Sequence, residues 1–280
     1  KYFDECSEFI ENAIKNGIID STDLKNPNYR PVLKWALKGS MLYKADLAVL
    51  SLLANYQWER PIYFTGGANA DEEYIWLKDY LQLDGLAYKF VPIKTPIAQK
   101  SLFDMGRIDP EKMYSNIQKW DWRNINDGKI YLDEQTKRNS ISMRNSLFRL
   151  SDAFAQKGDT IKAIEVLNLS LEKMPIKDFD HYTLSTGYPE AYYKLGNQEK
   201  ARETAETLLK VYREKATWLS TFDIDDLPLI EDELQTAFYI FDTIVRNIEL
   251  YDNDKDYLQQ KKQSVNEIFR LFSHLMPDEE

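Results

Sequence analysis

The sequence is poor in the residues that most often build metal centres and disulfides. It contains one cysteine and two histidines in 280 residues. A lone Cys6 excludes an internal disulfide, and its thiol is expected to behave as a small hydrophobic side chain. His181 and His274 lie far apart, without cysteines or acids at ligand spacing around them, so no zinc-site pattern is present. We therefore expect no metal and no cofactor.

Long apolar runs and recognised catalytic motifs are also missing. The longest apolar stretch, residues 45–56, is interrupted by Asp46 and Ser51 and is shorter than the roughly 20 residues of a spanning helix. Gly66-Gly67 precedes an acidic turn and no Walker lysine follows, which favours a plain tight turn over a phosphate loop. Since no nucleophile motif or definable carboxylate pair appears, the sequence predicts no catalytic residue.

Basic patches are absent as well, and this excludes the usual nucleic-acid binders. The chain has 46 acidic and 36 basic residues, for a net charge of -10, and the basic residues are scattered among acids. Such a surface repels a phosphate backbone, so we expect no nucleic-acid partner. A hydrophobic content of 43% over 280 residues predicts a folded protein. We place one domain at residues 1–135 and a second at 136–280, in an α+β protein overall.

The clearest pattern present lies at residues 144–175, which have the spacing of a tetratricopeptide helix hairpin. A break at Gly158-Asp159 separates the two helices. Small residues are needed where the helices cross, bulky residues fill the space between neighbouring hairpins, and a proline ends the unit. The signature positions fall on Leu147, Leu150, Ser151, Phe154, Ala163, Leu167, Ser170 and Pro175.

The hairpin pattern recurs in the second half of the chain. Gly196-Asn197 repeats Gly158-Asp159 at an offset of 38 positions. Pro189 predicts that the first helix of this second copy is kinked or begins late. A divergent third pair, residues 230–251 and 256–275, keeps the apolar stripe and suits a terminal cap. Residues 136–280 are thus predicted to be an all-α, tetratricopeptide-like repeat of about three hairpins.

In such repeats, certain first-helix positions commonly line a concave groove. Here the groove residues are Asn145, Phe148, Asp152 and Gln156 in the first copy and Glu190, Tyr193 and Lys194 in the second. They are candidates for binding an extended peptide of a protein partner. A solvated helix face without a ligand is the alternative interpretation.

The first half has a different texture. Residues 60–65 and 86–93 are rich in β-branched and aromatic residues and predict two strands, while residues 71–83 between them predict a helix. Strand, helix and strand with short joints favour a small α/β domain with a parallel, βαβ-like unit. Pro61 suits the start of a strand, and Arg60 could pair with a carboxylate such as Asp84.

Aromatic residues offer a second kind of binding surface. Trp120 and Trp122 flank an acid and stand beside an arginine and an asparagine. Exposed indoles can stack on sugar faces while polar neighbours hold hydroxyl groups, and Arg60 could contribute to such a site. The alternative is domain packing, because large aromatic side chains dominate cores and interfaces.

Several runs in the first half resemble one bacterial family. They begin at Lys44-Ala45-Asp46-Leu47 and include residues 58–64 (WERPIYF) and 80–88 (YLQLDGLAY). These runs resemble the soluble C-terminal portion of a multi-pass membrane family, common in Bacteroidetes and long labelled as having unknown function. Its membrane half is similar to protein O-mannosyltransferases that use polyprenyl-phosphate sugars.

The resemblance implies a soluble accessory domain of a membrane glycosyltransferase on the periplasmic face of the inner membrane. Its partners would be the membrane half of the same polypeptide and a protein or peptide acceptor, with a glycan as a further candidate. In such transferases the catalytic acid lies between membrane helices, so no catalytic residue is carried over to this chain. A start at Lys1 without Met fits a piece of a longer protein. A carbohydrate-binding module and a purely structural or oligomerisation domain remain the alternatives.

Overall fold

The computed structural model is an α+β protein in which helices predominate. It describes residues 7–30, 32–34, 41–65, 75–95, 105–179 and 182–275. Gly66-Gly67 and Cys6 lie outside these residues. The helices are α1 (Ser7–Lys15), α2 (Lys44–Ala54), α3 (Pro110–Ile117), α4 (Glu134–Gln156), α5 (Thr160–Lys173), α6 (Tyr182–Ser185), α7 (Gly187–Lys194), α8 (Gln198–Leu219), α9 (Leu227–Tyr251) and α10 (Lys255–Arg270).

The chain divides into two compact units that interleave along the sequence. Unit 1 comprises residues 1–121 and 142–154, and unit 2 comprises residues 122–141 and 155–280. The long helix α4 therefore contributes its central residues to unit 1 and both of its ends to unit 2. The four strands all belong to unit 1, whereas unit 2 is helical in its described part.

The second-half helices lie where the sequence predicts them. Helices α9 and α10 cover most of the residues predicted for the third helix pair. The helix before Gly196 is predicted to be kinked or to begin late; Pro189 lies in the first turn of α7, which starts at Gly187, with one residue between it and the end of α6 at Ser185. A proline at this position removes no backbone hydrogen bond, because the N–H groups in the first turn of a helix have no intrahelical acceptor.

The two predicted helix breaks have the same local geometry. Gly158 and Gly196 have φ of 81° and 76°, a left-handed conformation that glycine adopts without strain. The next residue caps the following helix in each case. The Asp159 side chain accepts from the Lys162 N–H at 3.1 Å, and the Asn197 side chain accepts from the Lys200 N–H at 3.1 Å.

Buried hydroxyl contacts join α5 to α7 in unit 2. The Ser170 and Tyr188 hydroxyl oxygens are 2.5 Å apart, and the Tyr192 hydroxyl donates to Asn168 Oδ1 at 2.7 Å. Ser170, Tyr188 and Tyr192 are almost fully buried. The small Ser170 thus leaves room for a tyrosine of α7.

Unit 1 contains a mixed four-stranded sheet, and the predicted parallel βαβ unit is wrong. The strands β1 (Tyr63–Thr65), β2 (Leu81–Leu83), β3 (Ala87–Phe90) and β4 (Arg107–Ile108) are ordered β1-β3-β2-β4. Strand β3 pairs antiparallel with both β1 and β2, and only β2 and β4 are parallel. Residues 71–83 are predicted as a helix. The described part of this segment forms a short 3-10 helix, Ile75–Tyr80, followed directly by β2.

An aromatic cluster forms the core beside this sheet. Trp58 lies between Tyr56 and Phe90, with ring centroids 4.5 Å and 5.6 Å away, and Tyr80 is 6.4 Å from Phe90. All four rings are buried. Trp58 of the WERPIYF run therefore lies in this core, whereas Tyr63 of the same run is exposed.

A tight turn before β4 holds the sheet against α4. Gly106 has φ of +78°, and a Cβ added there would lie 2.9 Å from the Tyr88 ring and 3.3 Å from the Leu81 carbonyl oxygen. The Arg149 guanidinium in α4 donates to the carbonyls of Met105 and Gly106, both at 2.6 Å. The position therefore requires both the backbone freedom and the small size of glycine.

We expect Gly106→Ala to lower the free energy of unfolding of unit 1 by about 2 kcal/mol, from the left-handed backbone conformation and the overlap with Tyr88. Urea denaturation followed by tryptophan fluorescence measures the change. Gly17→Ala is the matched control in the same unit, because Gly17 also has a positive φ of +66° but nothing lies within 4 Å of a Cβ added there. Equal midpoints for the two variants would contradict this account of the turn.

Candidate functional site

Helix α7 brings together the predicted groove residues of the second copy. The Tyr193 side chain turns inward and is only 9% exposed. Glu190 and Lys194, one helical turn apart, form an ion pair of 2.6 Å at the surface, where their side chains are 38% and 58% exposed. The helix therefore presents two charged side chains to solvent and anchors a tyrosine beneath them.

Tyr193 reaches a buried carboxylate at the corner between α9 and α10. Its hydroxyl donates to Asp252 Oδ2 at 2.7 Å. The Arg202 guanidinium of α8 donates to both oxygens of Asp252 at 2.7 Å and to Asp254 at 3.1 Å. Gln198 donates to Asp252 Oδ1 at 2.8 Å. We call Tyr193, Gln198, Arg202, Asp252 and Asp254 the Asp252 network; it ties α7 and α8 to the α9–α10 corner.

One edge of the network carries an exposed tyrosine. The Tyr251 ring stacks on Tyr193, with centroids 6.1 Å apart, and its hydroxyl donates to Glu190 at 3.4 Å. The Lys194 ammonium lies 5.9 Å from the centre of the Tyr251 ring. Tyr251 is 36% exposed and the neighbouring Leu250 is 64% exposed. This edge offers an aromatic face, an apolar side chain and both signs of charge.

A second tyrosine stands on the opposite edge. The Tyr257 hydroxyl donates to Glu206 at 2.9 Å, and Glu206 also pairs with Lys261. The Arg202 guanidinium carbon lies 4.3 Å from the centre of the Tyr257 ring. Arg202 is thereby fixed by two carboxylates and a ring, so the surface above it is ordered in advance of any partner.

The chemistry of the Asp252 network suits positioning and not proton transfer. Paired hydrogen bonds from Arg202, with a further one from Tyr193, hold the pKa of Asp252 well below its usual range. Burial, and then the hydrogen bond to Asp252, raise the pKa of Tyr193 well above its usual range. Neither group changes its protonation near neutral pH, whereas a general acid or base needs a pKa near the working pH.

Acid should weaken unit 2 through Asp252. Because its pKa is lower in the folded chain than the ordinary value of about 3.9, the unfolded chain binds this proton first as the pH falls. The stabilisation is present above about pH 5 and is lost progressively as the pH falls from there toward the folded-state pKa of Asp252. We expect the urea midpoint, followed by circular dichroism, to decrease as the pH falls below about 5 and to decrease less steeply in Asp252→Asn. If the urea midpoints of the unaltered chain and of Asp252→Asn fell in parallel with pH, a role for this carboxylate would be contradicted.

The groove residues of the first copy are divided between the two units. Asn145 and Phe148 are partly buried, and Asp152 and Gln156 are exposed on the last turns of α4. Asn145, Phe148 and Asp152 belong to unit 1, whereas Gln156 and the α7 residues belong to unit 2. The α7 set is therefore the part of the predicted groove that one compact unit brings together.

The residues predicted to bind sugar lie in three different surroundings. Trp120 packs on the β2–β3 turn, where a Cβ at Gly85 would lie 3.3 Å from its ring. Trp122 belongs to unit 2, in the first turn of a loop. Arg60 is exposed and lines a cavity of about 420 Å³ with Tyr56 and residues on either side. No two of these three residues line one described cavity.

Arg60 does not make the suggested ion pair with Asp84. Lys89 takes that place, with its ammonium 2.9 Å from Asp84 Oδ2 and both side chains almost fully buried. The register explains the choice, because Tyr63, Lys89 and Gln82 lie in one row across β1, β3 and β2. All three side chains of this row reach Asp84 just beyond the end of β2.

Sequence reasoning missed the two central residues of the Asp252 network. Arg202 and Asp252 are 50 residues apart, and each stands in a segment rich in other charges. One signal was available. Asp254 caps α10 by accepting from the Tyr257 N–H at 3.0 Å, so the corner itself could have been placed from sequence.

Comparison with known proteins gives a family match over one part of the chain. No curated protein and no solved structure matches the chain. In the described ranges, no helix combines the length and apolar character needed to cross a bilayer, and no group of three or more His, Cys, Asp or Glu side chains is placed to hold a metal ion. Residues 10–112 match the family model described as TMEM260-associated domain 2. This segment, which includes α2 and the whole sheet, is thus similar to a domain of a TMEM260-like membrane-protein family.

Proposed function

We propose that this chain is a non-catalytic domain of a membrane-bound, glycosyltransferase-like protein and that it presents an acceptor protein or another partner through its helical repeat. The α7 surface carries the proposal. There Glu190 and Lys194 are exposed at positions that line the groove in tetratricopeptide repeats, and Tyr251 of α9 stands beside them, stacked on Tyr193 of the Asp252 network. Binding a partner segment would therefore cost little conformational entropy in the side chains of this surface, because they are already held in place.

The tetratricopeptide-like interpretation is part of this proposal. It is supported by the two equivalent helix breaks, and by burial of every signature residue except Pro175, which is half-buried. The contact between Ser170 and Tyr188 also joins a second helix to the first helix of the next copy, as stacking of repeats requires.

Peptide binding tests the role of the α7 surface. Fluorescence anisotropy with a library of labelled, unstructured acceptor peptides should identify binders, and Lys194→Glu and Tyr251→Ala should each weaken them about tenfold, the scale of a central interface residue. Lys210→Glu makes the same charge change on an exposed position of α8 and should bind as the unaltered chain does. Binding that is equally strong in all variants, or no binding by the unaltered chain, would remove the proposal.

Unit 1 offers the surface that we assign to the membrane half of the same polypeptide. Met41, Tyr43, Leu47 and Leu52, in and before α2, are 68%, 66%, 52% and 52% exposed. This helix lies inside the segment similar to a TMEM260-associated domain, so a membrane-resident neighbour is the proposed occupant, at the periplasmic face. Apolar side chains exposed this far are costly in water and are typical of an interface.

Crosslinking in the full-length protein tests that assignment. A photoreactive residue at position 47 should crosslink to membrane-embedded segments of the same polypeptide, whereas one at the exposed Lys119 should not. Crosslinks from position 47 only to unrelated proteins, or equal yields at the two positions, would overturn it.

A further inference from the structure

A cavity in unit 2 is built by three separate segments of the chain. Its volume is about 410 Å³, which is within the range of small-molecule sites. The loop from Ile125 to Leu132 forms one wall, Lys137 in the first turns of α4 forms a second, and Lys177 with Asp178, after α5, forms the third. None of the residues proposed to dock a peptide or the membrane half lies here.

Hydrogen bonds fix the loop that forms the first wall. Asp127 accepts the Ile130 N–H on its carbonyl at 2.9 Å and the Lys129 N–H on its carboxylate at 3.1 Å. The Asn126 side chain donates to the carbonyl of Glu172 in α5 at 3.3 Å. A turn and a bond to α5 therefore fix the backbone of this loop.

The charge of the cavity differs from that of the chain. Three lysines, Lys129, Lys137 and Lys177, line it with two aspartates, whereas the whole chain has a net charge of -10. One oxygen of Asp127 accepts a backbone N–H. A lysine ammonium is a point charge that suits phosphate or carboxylate groups.

An aromatic ring stands at the same cavity. Tyr131 is 89% exposed and Ile130 is 44% exposed. A tyrosine this exposed contributes little to the folded core, but its ring offers a flat apolar face and its hydroxyl a hydrogen bond. Ammonium groups beside an exposed ring match a ligand that carries an anionic group on a ring with one apolar face.

We infer that this cavity binds an anionic sugar, meaning a pyranose that carries a phosphate or a carboxylate. The lysines contact the anionic group, the two aspartates accept from sugar hydroxyls, and Tyr131 stacks on the ring. A hexose phosphate and a uronic acid supply the same chemistry, and the experiment separates them. This site is independent of the peptide-docking surface, so either proposal can fail without the other.

Isothermal titration of the full chain with four probes tests the inference: a hexose 6-phosphate, glucuronic acid, a neutral hexose and inorganic phosphate. At least one of the two anionic sugars should bind at least fivefold more tightly than both the neutral hexose and inorganic phosphate. The tighter anionic sugar identifies the source of the charge. Absence of binding by both anionic sugars at millimolar concentration overturns the inference, as does inorganic phosphate binding as tightly as they do.

Variants then place the binding in this cavity. Lys177→Gln and Tyr131→Ala should each reduce the affinity for the anionic sugar at least fivefold, and both residues are exposed, so the fold should tolerate the changes. Lys157→Gln, at an exposed lysine of unit 2 outside the cavity, should keep the original affinity. Equal losses in Lys157→Gln and Lys177→Gln, or full affinity in Tyr131→Ala, would overturn the site.

Discussion

Replacing Asp252 by alanine should lower the free energy of unfolding of unit 2 by about 3 kcal/mol. The carboxylate is fully buried and accepts hydrogen bonds from Tyr193, Gln198 and Arg202 and from the Asp254 N–H. Its removal leaves the Tyr193 hydroxyl buried without its acceptor. Arg202 suffers less, because it is 30% exposed and keeps Asp254. Urea denaturation followed by circular dichroism gives the loss.

Hydrogen exchange shows where the loss acts. Peptides from α7 and from the α9–α10 corner should exchange faster in Asp252→Ala, because the network joins these segments. Glu203→Ala is the matched control: Glu203 pairs with Lys200 at the surface of the same helix as Arg202, and their side chains are 61% and 42% exposed. Exposed pairs contribute about 0–1 kcal/mol, so this variant should be nearly neutral. Equal losses of unfolding free energy in the two variants would show that the buried carboxylate stabilises unit 2 no more than an exposed one does.

The helical half of the fold could be predicted because its signals are local. A glycine, a capping residue and a small residue four positions later define each helix break within a few residues, and Gly158 and Gly196 adopt the expected geometry. Pro189 predicts either a kink or a late start, and it lies in the first turn of α7. Such features depend on the backbone conformations that proline and glycine allow, and these follow from the residue type alone.

The sheet could not be predicted in the same way. The strands at residues 63–65 and 87–90 were found, but their antiparallel pairing depends on β2, a strand hidden in a segment that also has helical character. Pairing direction and order are set by contacts between distant residues, such as Gln82 with Arg107. The same limit applies to Asp252 and to the lysine cavity, whose walls come from separate segments.

The last prediction concerns the buried pair of Asp84 and Lys89 in unit 1. Lys89→Met should cost about 3–4 kcal/mol, because it leaves the Asp84 carboxylate with a side-chain exposure of only 6% and no cation beside it. Asp84→Asn should cost less, since the amide keeps Gln82 as a neighbour and the Lys89 ammonium keeps the Gly17 carbonyl at 3.5 Å. Urea denaturation with tryptophan fluorescence reports on this unit, because Trp58 is buried in its core.

The double variant Asp84→Asn/Lys89→Met separates the pair from its surroundings. Replacing both charges removes the buried, uncompensated carboxylate, so the double variant should be more stable than Lys89→Met alone, by about 1–2 kcal/mol. Lys94→Met is the control, because its contact with Asp79 is 4.0 Å long and about a third exposed, and it should lose less than about 1 kcal/mol. Strictly additive losses would mean that Asp84 and Lys89 contribute separately. The row of Tyr63, Lys89 and Gln82 would then result from the strand register without stabilising that register.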